Sequence, residues 1–115
     1  MNSRKIWAKV KTQFEGIHCY PEAPREVNFL RNAHRHIFHV TVWIEQYHNE
    51  RDVEFILFKR FTEKIIKDSK FPKDASCETM SDFLANEISK KYEKRSFKIE
   101  ILEDNENGAL IEYDE

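Results

Sequence analysis

Glycine and proline are scarce in this 115-residue chain, at two and three residues. There is little from which to build a flexible linker, and no internal repeat or low-complexity stretch stands out. One compact domain over residues 1–115 is expected, since that length fits a single core. The two cysteines, Cys19 and Cys77, are too few for a disulfide framework and lack the paired spacing of a cysteine zinc ribbon, so both are read as free thiols. No run of about 18 apolar residues is present to cross a membrane. The start, Met1-Asn2-Ser3-Arg4-Lys5, leads into no apolar signal segment, which points to a cytoplasmic protein with no membrane partner. A basic excess is missing too: 19 Lys and Arg stand against 21 Asp and Glu, for a net charge of -2. Nucleic acid is therefore not an expected partner.

What is present is alternation, then helical spacing, then alternation again. From Arg4 to Phe14, residues Ile6, Ala8, Val10, Thr12 and Phe14 share one strand face. Gly16 to Ala33, with Pro21, Pro24, Tyr20 and Phe29, shows no clean period and reads as a long ordered loop that either covers a pocket or simply packs. A second strand over His34 to Glu45 places His34, His36, Phe38, Val40, Val42 and Ile44 on one face and His39 on the other. Asp52 to Lys67 has a helical stripe of Phe58, Phe61 and Ile65, with Asp52 or Asn49 available as a cap. Asp74 to Tyr92 carries a second stripe, Met80, Phe83, Leu84 and Ile88. A closing hairpin pairs Phe97, Ile99 and Ile101 with Ala109, Ile111 and Tyr113 around an Asn107-Gly108 turn. The order β-β-α-α-β-β predicts an α+β fold, a four-stranded antiparallel sheet with two helices on one face. Its two free edges invite pairing with further copies, hence a homo-oligomer.

His34 and His36 lie side by side on the second strand, and His18 follows the first. Three neutral imidazoles suit Zn²⁺ with an open fourth position, the arrangement of catalytic zinc. The alternative is a packed histidine pair that holds no metal. His39, on the opposite face, and His48, in a polar loop, are read as solvated or structural. Glu103 continues the apolar face of Phe97, Ile99 and Ile101 at the strand end. It is either wet, at a frayed terminus beside Asp104, or a carboxylate that accepts two N–H donors from a ligand ring.

Taken in order, Phe14-Glu15-Gly16-Ile17-His18, His34-Arg35-His36, Ser76-Cys77-Glu78 and Ile101-Leu102-Glu103 resemble the 6-pyruvoyltetrahydropterin synthase and 6-carboxytetrahydropterin synthase family over nearly the whole chain. The resemblance implies the tunnelling fold, in which subunits close a trimeric barrel and two trimers usually stack, with ligand held between neighbours. It makes His18, His34 and His36 the ligands of a zinc cofactor, Glu103 the anchor of a pterin ring, and Ser76 and Cys77 ligand contacts.

The sequence also departs from that family. Leu30 stands four residues before His34, where the family's catalytic Cys would be, followed by Arg31 where a variant subgroup has Glu. Lys67-Asp68-Ser69-Lys70-Phe71 is shorter than the family's Leu-Asp-His segment and lacks its His. A replacement base is sought in Cys77, whose thiolate a helix N-terminus would favour, in Cys19, or in Glu54. The resulting expectation is a zinc-dependent lyase of the 6-carboxytetrahydropterin synthase type acting on a dihydropterin. The alternative is an inactive oligomer that sequesters a pterin-, purine- or nucleotide-like ligand.

Overall fold

A computed structural model describes residues 3–115. Two long strands, β1 (Ile6–His18) and β2 (His34–Gln46), come first. They are followed by α1 (Phe55–Asp68) and α2 (Cys77–Lys91), then by β3 (Phe97–Glu103) and β4 (Asn107–Tyr113). The strands form one antiparallel sheet in the order β1-β2-β3-β4. The α+β architecture expected from the periodicities is therefore present.

Register turns alternation into a core. Val10 faces Val42, Val42 faces Ile99, and Ile99 faces Ile111, so one row of branched side chains crosses all four strands. Both helices cover that face, α1 against β1 and α2 against β3 and β4. Phe38, Phe58, Leu84, Ile88, Ile99 and Ile101 are completely enclosed there. Removing a side chain of that kind from water stabilises the fold by roughly 1.5–3 kcal/mol. Phe83, expected in the second stripe, is instead exposed, its ring edge against Phe71. The buried stripe of α2 runs through Cys77, Met80, Ser81, Leu84, Ala85 and Ile88.

Other departures from the sequence reading have local causes. Glu54, not Asp52 or Asn49, caps α1, accepting from the N–H groups of Ile56 at 2.7 Å and Leu57 at 3.1 Å. Asp52 is engaged elsewhere: it accepts from Arg95 Nη1 at 2.7 Å, Arg95 Nη2 at 3.2 Å and the Tyr47 N–H at 2.8 Å. The first strand runs on through Gly16 to His18, and the segment expected to be loop contains a kinked 3-10 helix, Arg25–Arg31. That segment is tied down by the Tyr20 N–H to the Leu30 carbonyl at 2.8 Å and Arg31 Nε to the Ala23 carbonyl at 2.9 Å.

The final turn is not at Asn107-Gly108. Those residues already pair within β4, opposite Glu103 and Leu102. The chain reverses at Asp104 and Asn105, whose φ angles of 53° and 60° are left-handed, with the Glu106 N–H on the Glu103 carbonyl at 2.9 Å. Asp and Asn tolerate that region better than other side chains. Gly108 has a different reason to be glycine: a Cβ there would lie 1.8 Å from the Ile101 carbonyl oxygen.

Candidate metal centre

The three histidines meet at one end of the apolar sheet face. His18 is directly opposite His34 in the β1–β2 ladder, and His36 is two residues along β2, which returns it to the same face. Their ring centroids are 4.6 Å (His18–His34), 4.8 Å (His34–His36) and 5.3 Å (His18–His36) apart. One nitrogen from each lies within 4.8 Å of those of the other two. The Phe38 ring floors the group, 5.2 Å from His18 and 5.7 Å from His36. Gly16 faces His36 and adds no side chain; a Cβ there would sit 2.9 Å from Phe38 Cε2.

Each imidazole is held by its Nδ1. That atom faces the Ala75 carbonyl at 3.0 Å in His18, the Asn32 carbonyl at 2.9 Å in His34 and Asp104 Oδ2 at 2.7 Å in His36. All three partners only accept, so each Nδ1 carries a proton and Nε2 is the nitrogen left on each ring for an ion. Metal-binding histidines almost always have such an acceptor at the far nitrogen, which fixes the ring's orientation. His36 Nε2 is buried with no hydrogen-bond partner among the described residues. A buried ring nitrogen without a partner leaves room for a ligand, and three imidazoles fit a divalent transition metal such as zinc.

Asp104 was not singled out from the sequence; its only signal was an acid directly after a strand-end Glu. It also accepts from the Ile37 N–H at 2.9 Å. With His36 as the chief cause and that backbone N–H second, its carboxyl is held below the usual range. The Ala75 and Asn32 carbonyls carry no signal in the sequence at all.

The remaining expected site residues converge beside the histidines. A cavity of about 510 Å³ is lined by His18, Tyr20, Leu30, Ser76, Cys77 and Glu103, among others. Ser76 is the α2 N-cap, its hydroxyl accepting from the Thr79 N–H at 3.1 Å. Glu103 is not frayed. It pairs with Phe38 and Asn107 in the sheet, and its carboxylate reaches back to 3.1 Å from His18 Nε2.

At Cys77 burial opposes the thiolate that its place at a helix start favours. Although Cys77 opens α2, it is 6% exposed, and burial, then the negative charges of Glu103 and Glu78, push its thiol up to about 12. At neutral pH the group is a weak proton donor. Glu54 is committed to capping α1, and Cys19 lines the cavity half-buried. His39 faces Gln13 and Leu102 on the far side of the sheet, and His48 lies in a loop 3.5 Å from Asp52, so neither joins the centre. A larger groove of about 870 Å³ between α2 and β4 contains neither His nor Cys. No helix among the described residues is long and apolar enough to cross a membrane. No family model matches the chain, and no curated protein matches it either.

Proposed function

We propose that this protein binds zinc through His18, His34 and His36 and acts on a dihydropterin, as a divergent relative of the 6-pyruvoyl- and 6-carboxytetrahydropterin synthases. The observation that carries this reading is the set of three Nδ1–acceptor contacts, which leaves three Nε2 atoms for one ion. Bound there, zinc supplies a Lewis acid for a substrate oxygen. Glu103 accepts the ring N–H donors of the pterin, and Ser76 and Cys77 line the same cavity, whose volume of about 510 Å³ suits a small molecule. β1 and β4 are the outer strands of the sheet, and their pairing with further copies gives the tunnelling fold's trimer or hexamer.

A second reading, binding without turnover, is favoured by one specific feature. The cavity presents Leu30 where the family has its Cys base, and burial pushes the nearby Cys77 thiol up to about 12. Proton transfer needs a group poised near the working pH, and the two residues supply none.

Incubating zinc-loaded protein with an equal concentration of 7,8-dihydroneopterin triphosphate and identifying the products by mass spectrometry decides between them. Loss of triphosphate or of a side-chain fragment, abolished by His34→Ala, establishes an enzyme. Substrate retained on the protein but unaltered establishes the binding role, and substrate neither altered nor retained removes both.

A further inference from the structure

We infer that Glu103 is a fourth protein ligand of the metal held by His18, His34 and His36, and that it closes the coordination sphere until a pterin ring draws the carboxylate away. The inference rests on the zinc reading and adds a role for Glu103 that the ring-anchor assignment does not contain. Glu103 Oε2 lies 3.1 Å from His18 Nε2, and Oε1 lies 3.8 Å from His36 Nε2. Two donors each about 2.0–2.1 Å from one tetrahedral ion stand about 3.3 Å apart. Glu103 Oε2 is thus near a co-ligand's spacing from His18, with Oε1 somewhat farther from His36.

Hydrogen bonding points the same way. Because the His18 Nδ1 donates to the Ala75 carbonyl, its Nε2 is the ring nitrogen left to face the Glu103 carboxylate. An ion placed between that nitrogen and the carboxylate would be held by both. His36 is flanked by consecutive residues: Asp104 accepts at Nδ1, at 2.7 Å, and Glu103 stands 3.8 Å from Nε2, beyond hydrogen-bond reach. Neighbours along a regular strand point to opposite faces. The left-handed backbone of Asp104, φ 53°, ends that alternation and lets both acids flank one ring.

Accepting two ring N–H donors side by side takes both oxygens of Glu103, so seating a pterin competes with its hold on the metal. Its side chain is 30% exposed at the cavity wall, free to change partner. Seating the ring would then loosen the carboxylate's hold on the metal, coupling the two roles through Glu103.

The test is Zn²⁺ affinity, by competition with a chromophoric chelator, together with the visible spectrum of the Co²⁺-loaded protein, for wild type, Glu103→Gln, Glu103→Asp and His34→Ala. The inference predicts that Glu103→Gln weakens Zn²⁺ binding about tenfold or more and changes the Co²⁺ bands. The shorter acid of Glu103→Asp should fall between Glu103→Gln and wild type, and His34→Ala should lose the metal. Wild-type affinity and bands in Glu103→Gln, with metal still lost in His34→Ala, would overturn the fourth-ligand role and leave the zinc reading intact. A wild-type protein that binds no Zn²⁺ would overturn both.

Discussion

Asp104 Oδ2 stands 2.7 Å from Nδ1 of His36, while its other oxygen accepts the Ile37 N–H at 2.9 Å. One carboxylate therefore fixes both the tautomer of a metal ligand and the backbone beside it. Asp104→Asn keeps a residue that tolerates the left-handed turn but removes the charge that raises the basicity of His36. Zn²⁺ affinity should fall about 10–100-fold with little change in thermal stability of the metal-free protein. Calorimetric titration that returns wild-type affinity would show that Asp104 serves only the turn.

Gly16 lies against the Phe14 and Phe38 rings, which stack on each other at 5.1 Å. An added methyl would lie 2.9 Å from Phe38, a ring with no exposed surface into which to retreat. Overpacking of this sort costs about 1–3 kcal/mol, more than the roughly 0.5–1 kcal/mol that losing glycine's unfolded-state entropy returns. Gly16→Ala should therefore lower the urea midpoint. An unchanged or higher midpoint would mean that the Phe38 ring yields freely.

Asp52 provides a pH signature away from the metal. Chiefly the Arg95 hydrogen bonds, then the Tyr47 N–H, lower its carboxyl to about 2. The folded value is below the unfolded one, so the stabilisation is complete above about pH 4 and is lost as pH falls toward 2. The pair is partly solvated, with side chains 12% and 18% exposed, and about 1–2 kcal/mol at neutral pH is expected after screening. Asp52→Asn should be less stable than wild type by that amount at pH 7, with the gap narrowing below pH 4. A gap that stays constant down to pH 3 would locate the loss in packing and not in charge.

Cys77 separates the two functional readings. Its thiol, at about 12, is no base, so Cys77→Ser should change any turnover less than tenfold, far short of the hundredfold or more that losing a proton-transfer group costs. A hundredfold loss in single-turnover assays, with ring affinity unchanged, would restore it to the reaction.

The strand periodicities placed His34 and His36 on one face because two residues return a strand to the same side, and Glu103 followed from Phe97, Ile99 and Ile101 by the same rule. That His18 lies across from His34 depends on the β1–β2 register, which alternation alone leaves free by any even shift. The Asp52 cap failed because its partner, Arg95, is 43 residues away and invisible to local spacing. Asn107-Gly108 was read as a turn because that dipeptide commonly makes one, whereas Gly108 is there for the close approach of the Ile101 carbonyl. The thiolate expected at Cys77 rested on its place at a helix start, and only the packed structure shows the burial that opposes it.

The central claim is that three imidazoles hold one zinc ion. It is tested most directly by metal analysis of the purified protein after loading with Zn²⁺ and removal of excess, beside His34→Ala treated identically. The account predicts one zinc per wild-type chain and none retained by the variant. Wild-type protein without zinc, or a variant that keeps as much, would contradict it.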